Sequence, residues 1–237
     1  MKALSKLTEI LLALPGQGRA TLGAVVETVR SVFGGDRQTR RSVAFSIAMI
    51  ALSAKMAKAD GVVTPAEVAA FQQIFHIPAD EMRNVFRLYD LAKQDTAGFE
   101  AYATRLAGLC EDGEKQCALL SDVLDGLFHI AKADGFVHER ELDFLARIAE
   151  IFGLDPVDFA SLRARHTAGE GQDYAILGVN PAEPVEAVRR RYLALVRENH
   201  PDSLIARGVP DEFLAIATER MKAINHAYEN IVKARAA

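Results

Sequence analysis

The chain has 237 residues, 50% of them apolar, with 28 basic against 32 acidic side chains and a formal net charge of −4. That length holds more than one hydrophobic core, and the mild acidity argues against general nucleic-acid binding, which draws on a basic surface. Cys110 and Cys117 fall at i and i+7 of one predicted helix, about 10 Å apart along its axis and too far for an unstrained disulfide. With no metal-ligand spacing around them they read as small core residues in a reducing compartment, and the chain as cytoplasmic.

The opening residues, Met1 to Leu14, place Lys2 and Lys6 before an apolar run, but Glu9 interrupts it and no small-residue cleavage site follows, so it is not read as a signal peptide. A predicted amphipathic helix from about Arg19 to Phe33 carries Leu22, Val25, Val26, Val29 and Val32 on one side. Packing on the next domain is its expected role, with self-association or peripheral membrane contact as the other readings. The charge-free run from Ser42 to Ala54 is shorter than the roughly 20 residues that span a bilayer.

An internal duplication follows. Ala57-Lys58-Ala59-Asp60-Gly61-Val62-Val63 recurs as Ala131-Lys132-Ala133-Asp134-Gly135-Phe136-Val137, and the register continues, with Glu67, Val68, Phe71 and Ile74 matching Glu141, Leu142, Leu145 and Ile148. Each unit reads as a helix ending at Asp-Gly, a tight turn, and a second helix opened by Thr64-Pro65 or His138-Glu139. Asp60, Glu67, Asp134 and Glu141 are the candidate metal ligands, because a turn carboxylate followed by a helix carboxylate partly matches a calcium loop. Too few oxygen donors lie between them, so capping and dipole stabilisation by Glu67 and Glu141 is the preferred account and no metal or other cofactor is expected. His76, His129 and His138 share no spacing with acids or cysteines and read as isolated. No phosphate loop, nucleophile elbow or catalytic triad is found, so an enzyme is not expected.

The duplicated segment, about Arg40 to Leu154, resembles the TerB family of all-helical domains named for tellurite resistance. Arg165 to Gln172, with Gly169 and Gly171, then reads as a short polar linker that lets the final domain reorient.

Beyond the linker, Val185, Val188, Tyr192, Leu195 and Val196 recur at helical steps while Arg189, Arg190, Arg191 and Arg197 supply a basic stripe. His200-Pro201-Asp202 interrupts this helix, a loop is expected from Ser203 to Val209, and Pro210 opens a second run through Phe213, Ile216, Ala217, Met221, Ile224 and Tyr228. His200 and Asp202 also suit local capping and turn roles. Tyr174, Leu177, Tyr192, Leu195, Phe213, Ile224 and Tyr228 are expected to form a core.

This segment, with Tyr174-Ala175-Ile176-Leu177-Gly178-Val179 ahead of it and Asn225, Ala227 and Tyr228 in its last helix, resembles a J domain. The resemblance implies a contact site for a DnaK-type ATPase chaperone made of His200, Pro201, Asp202, Arg189, Arg190, Arg191 and Arg197. It departs from common J domains in lacking dense lysines after the tripeptide and a fourth helix. A TerB-like domain followed by a J domain is similar to DnaJ-like co-chaperones of the DjlA type, here without their membrane helix. The expected architecture is all-α: a helical segment over 1–38, a TerB-like bundle over 39–164, a linker over 165–172 and a J domain over 173–237. The expected role is stimulation of a DnaK-type chaperone, with the bundle selecting client or partner and homodimerisation open. The alternative is a metal- or stress-responsive TerB-like interaction module with an accessory J domain.

Overall fold

A computed structural model describes residues 37–60, 82–94, 98–108, 118–167, 172–210 and 214–236. Every regular element among them is helical: α1 (Arg37–Asp60), α2 (Met82–Gln94), α3 (Phe99–Ala107), α4 (Ala118–Ala131), a 3-10 turn (Lys132–Asp134), α5 (Glu139–Ile151), α6 (Pro156–His166), α7 (Asp173–Leu177), α8 (Val185–Glu198), α9 (Pro201–Arg207) and α10 (Leu214–Ala236). The expected all-α class is what forms. The amphipathic segment over 19–33, both cysteines, His76, Glu67 and Phe213 lie outside the described residues.

The charge-free run noted in the sequence becomes the axis of the bundle. From Val43 to Ala54 every residue of α1 is buried, as expected of a helix without charge on any side, and burial continues to Ala57 through Lys55, whose ammonium lies 4.7 Å from the Tyr102 ring centroid. Its hydroxyls are absorbed locally, Ser46 Oγ donating to the Ser42 carbonyl at 3.1 Å and Ser53 Oγ to the Met49 carbonyl. Helices α2, α3, α4 and α5 pack around it. Each presents a stripe at three- and four-residue spacing, such as Val85, Leu88 and Ala92 on α2 and Leu145, Ile148 and Ala149 on α5. Phe99 and Phe144 meet at 4.4 Å between centroids, fastening α3 to α5. Among the described residues no helix is long and apolar enough to cross a membrane.

The second Asp-Gly turn forms as the repeat predicts. Gly135 ends the 3-10 turn at φ 110°, its N–H donating to the Lys132 carbonyl, and a Cβ there would touch nothing, so the constraint is backbone conformation alone. His138 is the N-cap of α5, and Glu141 closes a capping box by accepting from the His138 N–H at 2.9 Å.

A second, smaller core belongs to the C-terminal segment: Leu177 of α7, Val188 and Leu195 of α8, and Ile224, Ala227 and Ile231 of α10. Tyr192 stacks on Tyr228 at 4.1 Å, and the Tyr192 hydroxyl donates to Asn225 Oδ1. Arg235 of α10 reaches back to α7 and the turn after it, donating to the Tyr174 hydroxyl and the Pro181 and Glu183 carbonyls. Val185, which shares the apolar spacing, is instead exposed at the first turn of α8. The two cores are not insulated. Leu204 of α9, Val209, and Ile216 and Ala217 of α10 join the cluster built on α1 and α4.

Candidate functional site

His200, Pro201 and Asp202 lie at the start of α9, between α8 and α10. A proline pushes its predecessor into extended backbone, and its missing N–H is harmless at the first helical position. Accordingly His200 sits at φ −62°, ψ 139° as the N-cap, and its Nδ1 accepts from the Asp202 N–H at 3.3 Å. The stretch expected as a loop is therefore a short helix over Pro201–Arg207, closed by Gly208 in the left-handed region. His200 caps this following helix rather than ending α8. The cap leaves the tripeptide outward: the His200 and Asp202 side chains are 57% and 87% exposed, 3.5 Å apart at their nearest polar atoms.

The basic face of α8 divides in two. Arg189, Arg190 and Arg197 are exposed and form no ion pair among the described residues. Arg191 turns inward, donating to the Leu177 carbonyl at 3.3 Å and lying 3.9 Å from Asp158 and 3.8 Å from Glu198. Three of the four arginines thus face solvent on the helix that leads into the tripeptide, and the fourth ties α8 to α6 and α7.

Behind this surface runs a buried ionic network. Asp122 and Asp125 fall one turn apart on the apolar face of α4, where unpaired carboxylates would be costly. Arg220 of α10 answers both: its Nη1 donates to Asp122 Oδ1 and its Nε to Asp125 Oδ2, each at 2.8 Å. Its Nη2 is 2.7 Å from the same Asp125 oxygen. Arg207 of α9 forks onto both Asp122 oxygens at 3.1 Å and donates to the Glu198 carbonyl. Asn199, next to the tripeptide, accepts from Arg220 at 2.7 Å while donating to the Leu195 carbonyl. From α6, His166 Nε2 lies 2.8 Å and Arg165 Nη2 3.3 Å from Asp125 Oδ1.

Burial would raise the Asp125 carboxyl, but Arg220, Arg165 and His166 hold it well below the usual carboxylate range. For Arg220 burial acts against the charge, and Asp125 and Asp122 outweigh it, so its pKa is raised. Burial lowers His166, with Asp125 only partly opposing. It lowers His129 to about 4, again against Asp125. Both imidazoles are therefore neutral at neutral pH. His129 is not isolated: its ring meets His166 edge-on at 4.5 Å, and His166 stacks on Phe128. Sequence reasoning passed over Asp122, Asp125, His166 and Arg220; the signal present was two acids inside the apolar pattern of α4 and an arginine in phase with Ile216, Ala217 and Ile224 on α10.

The sequence-derived metal candidates are only partly in view. Glu141 is buried and engaged as a cap, Asp60 ends α1, Asp134 ends the 3-10 turn, and Glu67 lies outside the described residues. Among the described residues the acid that does converge with histidines is elsewhere: ligand atoms of Asp125, His129 and His166 lie within 4.8 Å of one another.

Fold and site together define an all-helical protein in which a bundle built on a buried axial helix carries an outward His-Pro-Asp turn on a C-terminal hairpin. The family described as tellurite resistance protein TerB matches residues 46–164, and the chain belongs to it. The chain is also similar over most of its length to proteins named co-chaperone protein DjlA. That of Coxiella burnetii is 29% identical over 201 residues, covering 76% of this chain and 73% of the relative. That of Vibrio parahaemolyticus is 27% identical over 234 residues (85% and 81%), and that of Haemophilus ducreyi 26% over 249 residues (88% and 85%). No solved structure gives a significant match.

Proposed function

We propose that the chain is a co-chaperone whose C-terminal segment is a J domain that recruits a DnaK-type ATPase chaperone and stimulates its ATP hydrolysis. The observation that carries this is the tripeptide: a capped, outward His200-Pro201-Asp202 turn at the end of a helix that exposes Arg189, Arg190 and Arg197, none of them ion-paired among the described residues. The relatives' shared name, co-chaperone protein DjlA, supports the same reading. Asp202 presents a carboxylate to a partner guanidinium, and Arg189, Arg190 and Arg197 attract an acidic partner surface and set its orientation. The TerB-type bundle then supplies the choice of client, partner or location. Such a role needs no bond-making chemistry from the chain itself.

The test is steady-state ATP turnover by a DnaK-type chaperone with and without the chain. Asp202→Asn should abolish the stimulation while circular dichroism stays unchanged. Loss of a charge-assisted contact of about 2 kcal/mol corresponds to roughly thirtyfold weaker coupling. Undiminished stimulation by this variant would remove the tripeptide from the mechanism. In the second reading, a metal- or stress-responsive interaction module, the same variant leaves any bundle-linked phenotype intact.

A further inference from the structure

We propose that the open cavity between α4, α6 and α10 is a binding site for a phosphate group. The cavity measures about 620 Å³ and lies between the bundle and the C-terminal hairpin, with the exposed Lys132, Lys222 and His226 on its wall.

Its wall carries four cationic side chains, Lys132, Arg165, Arg220 and Lys222, against the two carboxylates Asp125 and Glu219. Those two acids are already committed. Glu219 lies 2.6 Å from Lys222, and Asp125 is shared among Arg220, Arg165 and His166. Arg165 is the group left short. Its side chain is only 10% exposed, and its bonds to Asp125 and the Ser161 hydroxyl are long, at 3.3 and 3.5 Å. Its Nε is buried with no partner. A buried guanidinium with an unmet N–H is a costly arrangement, and an acceptor oxygen entering the cavity relieves it.

The convergence of Asp125, His129 and His166 also has the look of a cation site. The charge balance opposes that. Both Asp125 oxygens face guanidinium groups, and a divalent ion would enter a wall already carrying excess positive charge. An oxyanion meets the opposite situation, with a guanidinium fork and the Lys132 ammonium as donors. A doubly charged phosphate matches the excess better than a carboxylate. The volume exceeds that of a bare phosphate and falls within the range of roughly 300–1,000 Å³ typical of small-molecule sites. Inorganic phosphate and a phosphomonoester on a small organic body therefore share the same anchoring chemistry.

Calorimetry on the full chain at constant ionic strength distinguishes these, with inorganic phosphate, a nucleoside monophosphate and zinc chloride as separate titrants and sodium chloride as the blank. Phosphate should bind saturably and raise the thermal midpoint beyond the chloride control. Arg165→Gln should weaken it about tenfold or more, a change of one decade per 1.4 kcal/mol. Lys132→Ala, at an exposed rim position outside the buried network, should weaken it by at least about threefold without altering stability, since it removes one charge-assisted contact. Tighter binding of the monophosphate identifies a phosphorylated metabolite as the ligand class; equal binding identifies the free anion. The proposal fails if phosphate gives no saturable heat, if both variants bind it as the parent does, or if zinc alone binds.

Discussion

Gly208 stands where two demands meet. It closes α9 at φ 96°, and a Cβ built there would lie 2.6 Å from the Arg41 Cβ, an atom held close to the backbone of α1. Gly208→Ala should therefore destabilise the protein by about 2 kcal/mol or more, from the left-handed conformation and the clash together, as read from urea unfolding. His129 offers a second residue-level test. Asp125, His166, Arg220 and Glu219 act on its ring, Lys132, Lys222 and His226 share its cavity, and burial dominates, placing its folded pKa near 4 against 6.5 when unfolded. The unfolded chain binds that proton more readily. Stability is thus full above about pH 6.5 and falls as pH drops toward 4, by at most about 3 kcal/mol from this group. His166 contributes with the same sign. Asp125, held below its ordinary range, adds its own loss at more acid pH. Urea midpoints from pH 8 to 4 should trace this decline, and His129→Asn should flatten part of it.

At the scale of elements, the sheltered contact of α4 with α9 and α10 decides how the hairpin is held. Arg220→Ala would leave Asp125 and part of Asp122 buried without their main partner, a change that typically costs about 3–5 kcal/mol. Asp125→Asn should cost less, because Arg220 keeps Asp122. A double-mutant cycle over Asp125 and Arg220 should return a large coupling, whereas the same cycle on the exposed Lys222–Glu219 pair should return about 0.5 kcal/mol or less. Much of the helical pattern was legible beforehand. The Asp-Gly turn, the His138 cap and the α8 and α10 packing stripes follow from local spacing, because caps and amphipathic faces are encoded within a few residues, whereas α7 rests on the J-domain resemblance alone. The residues after the tripeptide form a helix where a loop is expected, and Pro201 at its first position and Gly208 past its last are the local signals for it. The ionic network was not legible in the same way. Acids at 122 and 125 and an arginine at 220 signal buried charge one by one, but only tertiary packing says which answers which.

On the scale of the molecule, the two cores are continuous through Leu204, Val209, Ile216 and Ala217. Thermal unfolding followed by tyrosine absorbance and by far-ultraviolet dichroism should give coincident curves, since the hairpin has no separate boundary along this contact. The segment read as a linker begins within structure: α6 continues through His166, and Arg165 is engaged with Asp125. The exposed tripeptide and Arg189, Arg190 and Arg197 remain outside the contact, which is why the hairpin can be fixed and still reachable. Under the proposed function, stimulation of the chaperone should weaken markedly between about 50 and 300 mM salt, as expected when exposed charges steer association.

The pairing of Arg207 and Arg220 with Asp122 and Asp125 bears on any attempt to exchange parts between relatives. A hairpin borrowed from a protein lacking guanidinium groups at those two places would entomb a pair of acids with no counter-charge, and the chimera would lose its fold before its activity could be judged. Grafts should carry the arginines with them, or else trade the recipient's aspartates for neutral residues of similar shape.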